Sequence, residues 1–157
     1  MYFELVDTDI EISNISTIAQ IIWPIAYKDI LESNQIKYML DKFLSINAIH
    51  ENIKDGYTYV LIKENDIRMG FFAYKFINDH IFLSKLYILP KFQKLGIAKS
   101  VISHLKNFNQ PIRLTVNKYN KIAIMVYEKL GFKRIDSVVT DIGSGFVMDD
   151  YIYEKGD

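Results

Sequence analysis

The stretch Leu86-Tyr87-Ile88-Leu89-Pro90-Lys91-Phe92-Gln93-Lys94-Leu95-Gly96-Ile97-Ala98-Lys99 decides the fold. It opens as a β-prone apolar run, breaks at Pro90 and crosses a polar loop. From Gly96 onward Ile97, Val101, Leu105 and Phe108 line the face of a helix. A strand running through a loop into a helix leaves the first helical N–H groups without intrahelical partners, at the positive end of the helix dipole. That arrangement is an anion site. Gly96 has no Cβ and lets a phosphate approach the backbone, Ala98 is the next smallest choice, and Lys91, Lys94 and Lys99 add positive charge. A pyrophosphate suits the place. The loop lacks the Gly-Lys-Ser/Thr of a Walker sequence, and the three glycines and downstream acid of a dinucleotide fingerprint are also missing.

Upstream, residues 1–6 read as a short strand. Ile15, Ile18, Ala19 and Ile22 then recur at helical spacing, with Ser13 or Asn14 as the expected cap and Pro24 expected to kink or end the helix. Ile36, Met39, Leu40, Phe43 and Leu44 mark a second helix behind Ser33 and Asn34. Segments 57–62, 68–76 and 81–89 are rich in β-branched and aromatic residues, and Glu64-Asn65-Asp66 and Asn78-Asp79 make the turns of a meander. Downstream, Pro111 stops the third helix and 112–116 is a strand. Ile122, Val126 and Leu130 line a fourth helix that Gly131 ends, and 132–138 and 145–153 close the chain as strands. The expectation is one domain over residues 1–157, of α+β (mixed α/β) class, with a mostly antiparallel twisted sheet of about seven strands flanked by four helices.

Composition narrows the function. Half of the 157 residues are hydrophobic and acidic and basic residues balance at 19 each, so a core is affordable and no global charge draws the chain to nucleic acid or an anionic membrane. There is no cysteine, which excludes disulfides, thiolate metal sites and a thiol nucleophile. The three histidines are scattered, and no metal is expected. Glu4, Asp7 and Asp9 do not read as a secretory leader, and the longest apolar run, 21–27, contains Pro24 and is far short of a membrane span. A cytoplasmic protein is expected.

A second constellation follows the phosphate loop. A strand ends at Asn117, Asn120 is placed to cap the next helix, and Ala123 and Tyr127, four apart, share its face. A polar cap, a small residue and a phenol in a row form a track for a pantetheine arm, with Asn117 and Asn120 meeting its amides and Tyr127 its thiol end.

Taken together the two segments resemble the GCN5-related N-acetyltransferase (GNAT) superfamily. Gln93-Lys94-Leu95-Gly96-Ile97-Ala98 looks like its Gln/Arg-x-x-Gly-x-Gly/Ala acetyl-CoA loop, with alanine in place of the commoner glycine. Asn117, Asn120 and Tyr127-Glu128-Lys129-Leu130-Gly131-Phe132 match its second cofactor segment. Residues 23–27 and the tail from Asp141 to Tyr151 look like a bacterial subgroup that includes polyamine acetyltransferases.

The resemblance implies acetyl-CoA as co-substrate, held by Leu86, Tyr87, Ile88, Gln93, Lys94, Leu95, Gly96, Ile97, Ala98, Lys99, Asn117, Asn120, Ala123, Tyr127 and Lys129. It implies direct attack of a neutral amine on the thioester, a backbone N–H near Ile88 polarising the carbonyl, and Tyr127 as the acid that protonates the leaving thiolate. Glu64, His80, Asp149, Asp150 or Tyr27 are the open choices of base, directly or through water. Trp23, Tyr27 and Asp149 are the expected acceptor contacts, with Phe71 and Phe72 as further aromatic candidates. The favoured acceptor is a small amine or polyamine, with a peptide N-terminus or protein lysine as the rival. The other readings are a sensor that binds acetyl-CoA without turnover and an interaction domain with no cofactor. Edge strands and exposed aromatics offer surface for a homodimer.

Overall fold

A computed structural model describes residues 1–156. Strand β1 (Tyr2–Leu5) leads to α1 (Asp9–Ala26), α2 (Ser33–Leu44) and α3 (Ile46–Lys54), and then to the meander β2 (Thr58–Glu64), β3 (Ile67–Ile77) and β4 (His80–Ile88). A 3-10 turn at Pro90–Phe92 precedes α4 (Ile97–Lys106), β5 (Ile112–Asn117), α5 (Lys121–Lys129), β6 (Lys133–Gly143) and β7 (Phe146–Lys155). The seven strands form one sheet in the order β1-β2-β3-β4-β5-β7-β6. Every neighbouring pair is antiparallel except β4 with β5, which is parallel.

Five helices flank the sheet, not four. The extra one, α3, is nucleated by Ser45, whose hydroxyl accepts from the Ala48 N–H at 3.2 Å, and it buries Ile49. Helix α1 starts earlier than Ser13 or Asn14. Thr8 accepts from the Glu11 N–H at 3.3 Å and donates to the Glu11 carboxylate at 2.8 Å, a reciprocal cap. Pro24 acts as expected, since the helix ends at Ala26, within a turn of it. Helix α2 begins at Ser33 with Glu32 as its N-cap and no side-chain capping bond.

The sheet separates two cores. On one face Ile15, Ala19 and Trp23 of α1, Met39 of α2 and Ile49 of α3 pack against Tyr59, Leu61, Phe71 and Ala73. On the other, Val101, Ile102 and Leu105 of α4 pack with Phe72, Leu83, Leu114 and Tyr153. Phe71 and Phe72 therefore lie fully buried on opposite faces, by simple strand alternation, and neither lines the cleft described below. The inward face of α5 is also not the expected one. Ala123, Ile124, Tyr127 and Leu130 pack inward, whereas Ile122, Met125 and Val126 are exposed. Among the described residues no helix is long and apolar enough to cross a membrane.

Candidate active site

The site arises where the sheet fails to close. Strand β4 pairs with β5 over only three positions, Ile81 with Ile112, Phe82 with Arg113 and Leu83 with Leu114. Immediately afterwards the β3–β4 register slips. Ala73 faces Lys85 and Tyr74 faces Leu83, which leaves Ser84 as an extra residue in a bulge, its hydroxyl 3.3 Å from the Ala73 carbonyl. The bulge inverts the alternation of the strand. Leu83 joins the core under α4, and so does Leu86, while Tyr87 turns to the α1 side. Beyond Leu83 the two parallel strands part and open a cleft of about 730 Å³, mouth included. Leu86, Tyr87, Asn117, Asn120, Ala123 and Tyr127 line it, and Trp23, Tyr27, Gln35, Met39, Met148 and Asp150 wall its other side. The cleft cuts through the sheet, so it can be approached from the α4–α5 face and from the α1–α2 face.

On the first face, Gly96 is the N-cap of α4 with φ 79°, preceded by Lys94 at φ 65°, both left-handed. No side chain caps this ten-residue helix, and a Cβ built on Gly96 would meet nothing within 4 Å. Free helical N–H groups therefore face open space beside an unobstructed backbone, which fits a coenzyme A pyrophosphate. Gln93 donates to the Ile88 carbonyl at 3.1 Å, tying the loop to the end of β4. Leu95, Lys94 and Lys99 are exposed, Ala98 is half-buried and Ile97 anchors the helix in the core. Asn120 accepts from the Ala123 N–H at 3.2 Å and caps α5, and Asn117 accepts from the Tyr119 N–H at 2.9 Å. Both side-chain carbonyls are thus occupied, leaving their amide N–H groups to meet a ligand. Lys129 sits in the exposed last turn of α5 and does not line the cleft.

On the second face three aromatic rings converge. The Trp23 ring lies 4.8 Å from Tyr27 and 5.5 Å from Tyr87, and the two phenol oxygens are 3.1 Å apart. Beside them Asp150, 5 % exposed, projects from β7 opposite Asn117. The expected acceptor residue, Asp149, points the other way. It forms an ion pair with Lys118 at 2.8 Å and does not line the cleft. Strand alternation allows only one of the two neighbours into the cleft, and the register selects Asp150. Burial, reinforced by the charge of Asp149 and partly offset by Lys118, pushes the Asp150 carboxyl up to about 6. Burial likewise raises the Tyr127 phenol, with a further push from Tyr27, and raises Tyr87 well above the usual phenol range. The Tyr27 phenol is raised by burial too, partly countered by its bond to Tyr87. All three are protonated at neutral pH and can donate hydrogen bonds.

Besides Asp149, two more of the open choices of base lie outside the cleft. Glu64 pairs with the N-terminal amine at 3.3 Å, and His80 starts β4 beside Asp79 at 3.4 Å. Sequence reasoning missed Gln35 and Met39, although their spacing of four on α2 puts them on one helix face, and it missed Lys85, which reaches its face only through the bulge.

A family model described as the acetyltransferase (GNAT) domain matches residues 28–148. The chain belongs to the GNAT family. Uncharacterized N-acetyltransferases of Staphylococcus aureus are 38% identical over 58 residues, a match that covers 37% of this chain and 38% of theirs. The alignment thus spans little more than a third of those relatives' length. Among solved structures, the PaiA N-acetyltransferase of Thermoplasma acidophilum in complex with coenzyme A superposes with a TM-score of 0.81 at 21% identity, covering 100% of both chains. The ribosomal-protein-S18-alanine N-acetyltransferase of Escherichia coli gives a TM-score of 0.68 at 17% identity, over 98% of this chain and 91% of that one. At such identities the likeness is one of fold: this chain has the GNAT architecture, with its two-faced cleft between β4 and β5.

Proposed function

We propose that this protein transfers the acetyl group of acetyl-CoA to a primary amine by direct attack. The observation that carries the reading is the cleft between β4 and β5, which sets Asn117, Asn120 and Tyr127 beside a buried carboxylate in an aromatic box, with the uncapped N-terminus of α4 following the end of β4 in the chain. Acetyl-CoA supplies the activated thioester. The residues of this chain do the rest. The α4 N-terminus and Gly96 receive the pyrophosphate, and the amides of Asn117 and Asn120 meet the pantetheine arm. Trp23, Tyr27 and Tyr87 surround the incoming ammonium, and Asp150 takes one of its protons. The amine nitrogen then bonds to the acetyl carbon and the carbon–sulfur bond breaks. Tyr127 hands its proton to the departing sulfur and regains one from the acylated nitrogen.

With the phenol raised by burial, Tyr127 donates only where the leaving thiolate is poorly solvated. With Asp150 titrating near 6, about nine in ten of its side chains are ionised at pH 7, as a base requires. The test is thiol release on mixing the protein with acetyl-CoA and a panel of amines. Amine-dependent release supports the proposal. Tight coenzyme A binding with no release across the panel replaces it with a sensor role.

A further inference from the structure

The acceptor side of the cleft has a wall that the transfer scheme leaves unused. Met148 precedes Asp150 by two residues in an unbroken stretch of the β6–β7 ladder, so both side chains leave β7 on the same face. Leu31, Met39 and Met148 all line the cleft, and all belong to the core under α1 and α2 that also takes up Trp23, Tyr27 and Tyr87. Gln35, one turn before Met39, donates its amide N–H to the Val147 carbonyl at 2.8 Å and to the Met39 sulfur at 3.8 Å, which ties α2 to β7 where the two methionines stand. This wall is poor in free polar groups. Among the described residues Asp150 is the one carboxylate that lines the cleft. Asp29 and Glu32, the carboxylates that flank Leu31 in the chain, are exposed and stand outside it. The phenols of Tyr27 and Tyr87 bond to each other, and the Ser84 hydroxyl bonds to the Ala73 carbonyl. Lys85 carries its ammonium toward β2, 5.7 Å from the Tyr59 ring centre and 6.0 Å from that of Tyr57, on the side of β4 opposite to β7 and Asp150.

We infer that the acceptor is a monoamine with an apolar body rather than a polyamine or a peptide, and that Leu31, Met39 and Met148 select it. This rests on the acetyl-transfer reading above. Asp150 and the three rings take the ammonium, and the carbon chain behind it lies against the two methionines and the leucine. Each methylene buried there leaves water for an apolar surface and tightens binding. A second ammonium, as a polyamine carries, would lose its water against this wall with no carboxylate to meet it. A peptide would bring amide groups to the same wall and leave them short of partners. Methionine side chains turn about three bonds and yield to bodies of different shape, so the wall sorts acceptors by polarity before shape.

The experiment measures thiol release by the wild-type protein at saturating acetyl-CoA with propylamine, hexylamine, hexamethylenediamine and trialanine. From propylamine to hexylamine kcat/KM is expected to rise about threefold for each added methylene. Hexamethylenediamine differs from hexylamine in its second ammonium and is expected to fall at least about tenfold below it, with trialanine also below hexylamine. Met148→Glu, which adds a carboxylate on the same face of β7 as Asp150, is expected to bring the diamine level with hexylamine or above it, and Met148→Leu to keep the wild-type order. A flat alkyl series, the diamine or the peptide as best acceptor of the wild type, or an unchanged order in a Met148→Glu protein that still binds coenzyme A, overturns the inference while leaving acetyl transfer intact. Absence of thiol release with every amine overturns both. The wild-type series needs no variant and so does not depend on how well Met148→Glu folds.

Discussion

Asp150 carries opposite consequences for rate and for stability. Its carboxyl is held near 6, above the roughly 3.9 of an unfolded chain, so the unfolded state ionises first as pH rises. Folding stability therefore falls between pH 4 and 6 and stays lower above that range, by an amount on the order of 2–3 kcal/mol. Asp150→Asn is expected to raise the stability measured by urea unfolding at pH 7, to show no such gain below pH 4, and to abolish most amine-dependent turnover. In the wild type, kcat/KM should climb through pH about 6 as the base ionises, and that limb should vanish in the variant. Tyr127→Phe should lower kcat by about a hundredfold while leaving coenzyme A affinity within a few-fold, measured by calorimetry. An unchanged kcat would remove Tyr127 from the chemistry. At this scale the sequence was most informative about residues fixed by short spacing. Asn120 and Tyr127 stand in the cleft because a cap and a helical repeat place them there. Asp149 and Lys85 were not legible, because which face a strand residue takes depends on pairing register and on a bulge, and neither shows in the residue pattern of a single strand.

The elements with the least room for change are the end of β4 and the loop behind it. A methyl added at Gly70 of β3 would come within 2.9 Å of the Ile88 Cα, against backbone that forms the cleft wall. Gly70→Ala should cost about 1–3 kcal/mol in thermal or denaturant unfolding and weaken both substrates together. Gly96→Ala differs, because space is open there and only the left-handed φ of 79° resists. It should cost about 1–2 kcal/mol and raise the KM for acetyl-CoA well above any change in the KM for the amine. The helices show why boundaries were harder to read than elements. Thr8-Asp9-Ile10-Glu11 is a capping box visible in the sequence, and α3 announces itself through Ser45 and the spacing of Ile46, Ile49 and Ile53. Helix α5 misled for a physical reason. Apolar residues occupy both of its sides, so periodicity alone could not tell Ala123 and Tyr127 from Ile122 and Val126 as the buried set.

Across the whole molecule, the mixed α/β layering follows from the alternation of segment types, and the sheet of seven strands agrees with what that alternation predicted, whereas the insertion of β7 between β5 and β6 is seen only in the structure. The cleft itself is a tertiary property that no window of sequence contains. If coenzyme A occupies it, a concentration a hundredfold above Kd should stabilise the fold by about 2.7 kcal/mol and move Tm up by roughly 5–10 °C. The same opening divides the sheet into a four-stranded panel, β1 to β4, and a three-stranded one, β5, β7 and β6, hinged on three residue pairs. Such a joint is the mechanically weakest line in the protein. Under tension, or in the brief local openings that expose amides to deuterium, the two panels should part along it before either panel frays, and a bound nucleotide would act as the rivet across the joint.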